Sequence, residues 1–189
     1  MANTENVTYG KPNVAGAVSV ADLGAVLPTN ATGTLAVDFK NLGYISEDGL
    51  TNADGRSSDV IKAWGGDVVL TTQTEKSDTF TFTLIEALNA DVLKFYYGED
   101  NVTGDIATGL TIKSNNADLK AVSLVIDMVF KNAVKRIVIP TAKIIETSEI
   151  VYNDTEAVGY EVTVQALNDA NGDSHFEYIQ EPTPAAPAV

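Results

Sequence analysis

The clearest pattern along the chain is a strict alternation of large apolar residues with threonines over residues 79–84. Phe80, Phe82 and Leu84 fall on one side of the alternation, and Thr79, Thr81 and Thr83 fall on the other. Residues 158–166 alternate in the same way: Tyr160, Val162 and Val164 stand against Glu161, Thr163 and Gln165. A period of two places successive side chains on opposite faces of a strand, so both segments are predicted to be strands with one buried face and one polar face.

Between Ile85 and Tyr97 the period changes to that of a helix. Apolar residues recur every three or four positions, from Ile85 and Leu88 to Val92 and Phe95 or Tyr96. Asn89 or Asp91 can cap the first turn, and Gly98 is a typical stop signal. The pattern predicts one short amphipathic helix, spanning 88–97, that covers a face or an end of a sheet.

The remaining apolar segments are typical of strands. Residues 122–130 are almost continuously apolar, which favours a central strand, and a short polar turn leads into 134–139. Pro140 cannot donate a ladder hydrogen bond and is therefore expected at an edge or a break. With further strands over 142–152 and 175–179, the chain has eight or more strands and one helix. We therefore predict a mostly β fold, an antiparallel sandwich or barrel.

Three segments do not follow these patterns. Residues 1–11 are polar and are expected to form an extended N-terminal arm. Residues 47–66 are polar, contain four glycines and include the only tryptophan, Trp64. A loop of that length is either functional or disordered, and Trp64 suggests that it docks against something. The segment 181–189, rich in proline and alanine, is expected to be a flexible tail beyond a single domain spanning 1–180.

Composition narrows the class of protein. Hydrophobic residues make up 44% and charged residues 20% of the 189 residues, which is typical of a globular domain. No apolar run approaches the roughly 20 residues that cross a bilayer, and the N-terminus does not resemble a signal peptide, so we expect a chain kept in a cytoplasm, without membrane contact. The absence of cysteine excludes disulfides and thiolate zinc sites.

The net charge of −14 argues against a surface that grips nucleic acid. The charge is also uneven, since residues 144–189 hold nine acidic residues and no lysine or arginine, whereas 113–143 hold six basic residues and two acidic ones. Two interpretations stay open. The charges form ordinary solvated faces, or opposite patches support head-to-tail contact between identical subunits.

Candidate chemistry is sparse. The only histidine, His175, lies in a predicted strand without a nucleophile elbow, so we interpret it as structural. Asp169, Asn171 and Asp173 have the spacing of a calcium loop, but Gly172 and Gln180 occupy the wrong positions for one. A hairpin turn is the alternative, and cation binding at 169–173 stays open. We predict no catalytic site, no cofactor and no metal.

Several motifs, in order and over roughly 6–179, resemble the tail tube (major tail) proteins of long-tailed bacteriophages with non-contractile tails. They are NVTYGKPNVAGAV, NLGYISEDGLTNA, IKAWGGD, TTQTEKSDTFTFTLIEALN followed by VLKFYYG, and KRIVIPTAKI. The resemblance implies a β-sandwich with a flanking helix. It further implies a non-enzymatic virion protein whose hexameric rings stack into a tube, with DNA passing through without specific binding.

The same resemblance implies partners and sites. Besides the chain itself, the partners would be the tape measure, distal tail and tail terminator proteins, with assembly in the host cytoplasm. The segments that would bridge neighbouring rings are the arm 1–11, the long loop 47–66 and the residues after Ile179. Candidate contacts between subunits or rings are Tyr9, Lys11, Asp48, Asp54, Arg56, Asp59, Trp64, Lys135 and Arg136. We further hypothesise that a polar strand face lines part of the tube, with two candidate sets that stay open: Glu161, Thr163 and Gln165, or Thr79, Thr81 and Thr83. Reversing the charges of Lys135 and Arg136 is expected to weaken assembly more than folding.

An alternative is a non-enzymatic β-sandwich binding module of the adhesin or carbohydrate-binding type. It would favour a secretion signal and exposed aromatic residues on one sheet face, and neither stands out in the sequence.

Overall fold

The computed structural model describes residues 1–13 and 15–182. This part of the chain is mostly β, with antiparallel sheets and one α-helix, so the predicted fold class is confirmed. The strands and the helix are, in chain order, β1 (Lys11–Pro12), β2 (Val18–Asp22), β3 (Lys40–Asn41), β4 (Ile45–Lys62), β5 (Val68–Leu84), α1 (Ala90–Tyr97), β6 (Val102–Asp105), β7 (Gly109–Ile112), β8 (Val122–Val129), β9 (Val134–Thr147), β10 (Tyr160–Ala166) and β11 (Phe176–Gln180). No helix in the described part has both the length and the apolarity to cross a membrane.

The main sheet has the order β3-β2-β8-β9-β10-β5-β4, and β6 and β7 form a separate hairpin. The long strand β9 belongs to two layers. Its first half pairs with β8 and β11, and its second half pairs with β10. Strands that pass from one layer to another in this way form the corners of sandwiches. The edge strands β3 and β4 do not pair with each other among the described residues, so the fold is an open sandwich and not a closed barrel.

Pro140 marks the corner in β9. Val122 pairs with Ala142 and Leu124 with Ile139, so β9 has one residue more than β8 over this interval. The Ser123 hydroxyl donates to the Pro140 carbonyl over 2.8 Å. A bulge accommodates a residue without an N–H, and the predicted break at Pro140 is confirmed.

The core lies between the two layers and α1. The alternation in β5 and β10 turns Phe80, Phe82, Leu84, Val162 and Val164 into this core, where they join apolar side chains of β2, β8 and β9. The helix closes the core, and its Phe95 ring stacks on Phe82 with centroids 6.5 Å apart. Asn89 caps the helix through Asp91, and Gly98 ends it at a φ of 97°.

The prediction that residues 47–66 form a long loop is wrong. Most of this segment is strand β4, which forms a two-stranded ribbon with β5 up to a tight turn at 63–67. Beyond the pair Asp54–Asp78, almost every ribbon residue is exposed on both faces. Neither face is buried, so the sequence shows no alternation there. Ten residue steps give the ribbon a reach of about 35 Å beyond the sandwich.

Residues 1–11 also differ from the extended arm that was predicted for them. It contains a 3-10 turn at Thr4–Asn6 and pairs through Lys11 with Val129 of β8. The Thr8 hydroxyl accepts a hydrogen bond from the Lys131 amide at 2.9 Å. The arm therefore lies against the β8–β9 turn of its own chain. The predicted flexible tail falls, from residue 183 onward, outside the described residues.

Candidate assembly surfaces

The two candidate sets for the tube lining lie on adjacent strands and share one face. Across the β5–β10 pair, Thr83 opposes Glu161, Thr81 opposes Thr163, and Thr79 opposes Gln165. All six side chains are half-buried, and the residues that alternate with them are buried in the core. The structure thus joins two segments that are about 80 residues apart in sequence into one polar surface, hereafter the polar face.

The polar face extends over all four strands of its layer. On one side Thr51 of β4 opposes Thr81, and on the other Glu146 of β9 opposes Thr163. The hydroxyls of Thr81 and Thr163 lie 2.9 Å apart. Glu161 accepts a hydrogen bond from the Ser148 hydroxyl across to β9. The face carries hydroxyl, carboxylate and amide groups, and Lys143 of β9 opposes Gln165 at one end of it.

The same layer has two unpaired edges. Among the described residues, β4 pairs only with β5, and the segment 143–147 of β9 pairs only with β10. Because the order β9-β10-β5-β4 is antiparallel throughout, the two edge strands run in opposite directions. An edge with free N–H and C=O groups is a template for pairing with another chain.

The ribbon carries five of the nine candidate contact residues. Asp48 lies in the irregular start of β4, where β4 shifts register against β5, and Asp54 forms an exposed ion pair with Lys76 over 3.5 Å. The Arg56 guanidinium donates to Gln73 over 3.2 Å. Asp59 and Trp64 are exposed, and Trp64 lies at the turn.

Sequence reasoning missed an apolar cluster around Trp64. Five aliphatic side chains near the turn are 48–62% exposed. With Trp64 they form the tip set: Val60, Ile61, Trp64, Val68, Val69 and Leu70. The signal was present in the segments VIKAW and VVL on either side of the two glycines. These side chains lie on both faces of the ribbon, since successive strand residues such as Val60 and Ile61 point to opposite sides. Exposed apolar groups of this kind often mark an interaction site.

A buried polar cluster fixes the base of the ribbon. The Asp78 carboxylate accepts hydrogen bonds from the Ser174 hydroxyl at 2.5 Å, from His175 Nδ1 at 2.5 Å and from the Asn52 amide at 2.9 Å. Burial alone would raise the pKa of Asp78, but these hydrogen bonds outweigh it and hold the pKa below its ordinary value. Ser174 donates to Asp78 and not to His175, so the three residues do not form a nucleophile–base pair. The cluster ties β4 and β5 to the segment before β11.

Two of the candidate contact residues, Lys135 and Arg136, form ion pairs within the subunit. The Arg136 side chain is only 7% exposed and forms a two-pronged ion pair with Asp127, with distances of 2.6 and 3.0 Å. Its Nη1 also donates to the carbonyls of Asn30 and Gly33. Lys135 is 18% exposed and pairs with Glu177 over 2.6 Å. Reversing these charges is therefore expected to disturb the fold.

The hypothesis of a basic contact patch loses support for the same reason. Of the six basic residues in 113–143, five form ion pairs within the chain: Lys120–Asp100, Lys131–Glu5, Lys135–Glu177, Arg136–Asp127 and Lys143–Asp118. Their charges are largely neutralised inside one subunit. Shape, apolar contact and strand edges are left as the main means of association.

The other two candidate contacts lie near the N-terminus. Lys11 Nζ is 5.0 Å from the centroid of the Tyr9 ring, a cation–π distance. Both residues are exposed beside β8. This places them on the layer opposite to the polar face.

The acidic turn at 169–173 has the geometry of an Asx turn. Asp169 accepts hydrogen bonds from the amides of Asn171 at 2.7 Å and Asp173 at 3.0 Å. These backbone hydrogen bonds lower the pKa of Asp169. Its carboxylate is used by the turn itself, and no group of three potential metal ligands occurs in the described residues.

Comparison with models of protein families relates the chain to a known family. A family model described as phage tail tube protein matches residues 3–189, essentially the whole chain. No curated protein matches the sequence.

Proposed function

The chain belongs to the phage tail tube protein family, and from this premise we propose that it assembles into hexameric rings that stack into a tube for the phage genome. Family membership makes it a structural, non-enzymatic component of the virion tail. The alternative of an adhesin or carbohydrate-binding module loses its basis, because the match covers essentially the whole chain.

The proposal is supported by the two edges of the layer β9-β10-β5-β4 that stay unpaired among the described residues. Pairing β4 of one subunit with β9 of the next is heterologous, since different surfaces meet, and such contacts close into rings when the rotation allows. The antiparallel order continues across this contact, because the two edge strands run in opposite directions. Each ring would then contain one continuous antiparallel barrel.

The dimensions of such a barrel suit a conduit. Six subunits with four strands each give 24 strands. With strands about 4.8 Å apart and tilted about 40°, the backbone circle is about 48 Å across. Side chains narrow the bore but leave it wider than a DNA duplex.

The polar face is the surface that we assign to the bore. Its opposite side forms the hydrophobic core and cannot face water. Carboxylate groups repel phosphates, and six subunits with a net charge of −14 each give about −84 per ring, which disfavours binding of DNA. The tape measure protein inside the tube, the distal tail protein and the tail terminator protein at its ends are the partners that follow from this role. Assembly in the host cytoplasm follows likewise.

Electron microscopy of the concentrated protein tests the proposal. Wild-type protein should form rings and tubes. The double substitution Ile145→Lys and Thr147→Lys places charge on the β9 edge, where both residues are exposed, and should block ring formation. Val37→Lys is the matched control, since Val37 is fully exposed and lies outside both edges. Unchanged rings from the edge variant would refute the edge-pairing model.

A further inference from the structure

One basic side chain lies on the polar face. Lys143 of β9 opposes Gln165 of β10, so both side chains are on the same side of the sheet. At the described positions 51–53, 79–83, 143–147 and 161–165, the other charged groups are the carboxylates of Glu146 and Glu161. The Lys143 side chain is 35% exposed. When the polar face lines the bore, Lys143 lies in the bore as well.

An uncompensated lysine is unfavourable in a conduit for DNA. An ammonium group binds phosphates, and the counter-ions that are released make this binding strong at low salt. A hexameric ring would present six copies of Lys143, and a stack of rings would repeat them along the whole tube. Contacts that are weak one by one would therefore add up and slow the passage of DNA.

The structure gives Lys143 a carboxylate partner within the same chain. Lys143 Nζ donates a hydrogen bond to Asp118 Oδ2 at 2.7 Å, which is a typical distance for a charge-assisted bond. The Asp118 side chain is 82% exposed, so the pair is not needed to compensate a buried charge. Two opposite charges this close act on a distant phosphate as a dipole, which attracts it much less than a lone ammonium group does.

The connection between β7 and β8 carries Asp118, and it is fastened on both sides of this residue. Before Asp118, the Asn115 side chain donates to Asn101 Oδ1 at 2.8 Å. After Asp118, Lys120 Nζ donates to Asp100 Oδ2 at 3.0 Å. Both partners belong to the 3-10 turn that follows α1. These two contacts hold the segment that presents Asp118.

Strand pairing brings the same connection to Lys143. Val122, at the start of β8, pairs with Ala142, which directly precedes Lys143. The residues before Val122 therefore run past the beginning of the free β9 edge. From there the Asp118 side chain reaches the ammonium group on the polar face.

We propose that Asp118 neutralises Lys143 in the bore, so that the tube wall does not bind the passing DNA. The inference rests on the proposed tube, and it assigns a role to a residue outside the four strands of the polar face. Asp118 acts through Lys143 and needs no contact with DNA itself.

The first experiment measures how much DNA is retained by tubes assembled from Asp118→Asn. Tubes are incubated with a short fluorescent DNA duplex and sedimented at salt concentrations from about 50 to 500 mM. At the lowest salt, Asp118→Asn tubes should retain several-fold more duplex than wild-type tubes, and the excess should disappear at the highest salt. Equal retention by the two kinds of tube would overturn the inference.

Circular DNA distinguishes the bore from the outer surface. A linear duplex can enter the open end of a tube, whereas a closed circular duplex has no end to thread and reports on the outer surface. The additional retention by Asp118→Asn should therefore be found with linear DNA and not with circles. An equal excess with circles would place Lys143 on the outer surface and overturn the inference.

Two further variants test whether the effect runs through Lys143. Asp100→Asn is the matched control, because it breaks the other exposed ion pair of the same connection and makes the same change in charge. Its partner Lys120 lies beside the turn after α1, on the core side of the layer, so the excess of linear over circular DNA should equal that of wild type. Asp118→Asn with Lys143→Met should return retention to the wild-type level, and a double variant that still retains DNA would contradict the proposed role.

A role of the pair in folding gives a different result. Highly exposed ion pairs add little stability, so the Tm of dispersed Asp118→Asn subunits should lie within about 2 °C of wild type. An Asp118→Asn chain that fails to fold or to form tubes would assign the pair to the structure of the subunit and overturn this inference alone. A wild-type chain that forms no tube would overturn both this inference and the proposed function.

Discussion

Replacing Arg136 should destabilise the folded subunit itself, whatever part Arg136 takes in assembly. The guanidinium makes two hydrogen bonds to Asp127 and two to the carbonyls of Asn30 and Gly33. It thereby fastens the connection between β2 and β3 to the layer formed by β8 and β9. In Arg136→Met the chain keeps an unbranched side chain there, but Asp127 loses its counter-ion and both carbonyls lose a donor.

The size of the effect follows from burial. Removing one partner of a buried ion pair costs about 3–5 kcal/mol, because the remaining charge is left uncompensated. A domain has about 5–15 kcal/mol of total stability, so the loss is a large share of it. For a chain of this size each kcal/mol lowers Tm by about 2–4 °C, which predicts a decrease of about 6–20 °C. The double variant Arg136→Met with Asp127→Leu should recover part of the loss, since it removes the unpaired charge.

The assay is urea and thermal unfolding of dilute subunits, followed by circular dichroism. Lys120→Met is the matched control: it breaks the highly exposed pair with Asp100, and its Tm should equal that of wild type. An Arg136→Met subunit with wild-type unfolding that nevertheless fails to assemble would refute this reasoning and return Arg136 to the interface.

Three further predictions test the ribbon, its base and the bore. Replacing residues 55–77 by an Asn-Gly turn should leave the Tm of the body within a few degrees of wild type, since the removed residues pack on no other part, while electron microscopy shows rings without tubes. The ionised Asp78 is the form that its hydrogen bonds stabilise, so its contribution to the free energy of unfolding should be full at neutral pH. That contribution should begin to be lost as the pH falls below 3.8, the ordinary pKa of an aspartate, and should be gone once the pH has fallen through the lower pKa of Asp78 in the folded chain. In urea titrations, the difference in free energy of unfolding between wild type and Asp78→Asn should shrink over the same pH range. The double substitution Thr81→Lys with Thr163→Lys should make the bore retain DNA in a salt-dependent manner, because the added lysines bind phosphates. The measurement is the rate of DNA release from assembled particles, and release as fast as from wild type would argue against these positions lining the bore.

The sequence predicted the parts of the fold in which one face of a strand or helix is buried and the other is exposed to solvent. Threonines alternating with Phe80 and Phe82 identified β5 and its two faces, because burial of one face imposes the period of two. The helix was predicted from its spacing, its cap and Gly98. The sequence could not show that Thr81 and Thr163 oppose each other, since strand pairing over 82 residues is set by the whole core.

The ribbon and the buried arginine show why the rest was missed. The ribbon has no buried face within one subunit, so its polar and glycine-rich sequence resembled a loop. Arg136 resembled a surface residue because its environment depends on the β8–β9 register, which places it opposite Asp127. A signal did exist: Asp127 interrupts an apolar strand as far before the turn as Arg136 lies after it, and a polar pair at matching positions of a hairpin is a candidate ion pair.

In the assembly that we propose, edge pairing between copies closes a ring with the polar face inside. Electron cryomicroscopy of tubes assembled from this chain tests it most directly. We expect six subunits per ring, a continuous barrel in which β4 of each subunit pairs with β9 of the next, and Thr81 and Thr163 facing the bore. A tube in which these edges remain unpaired, or in which Thr81 and Thr163 lie on the outer surface, would contradict it.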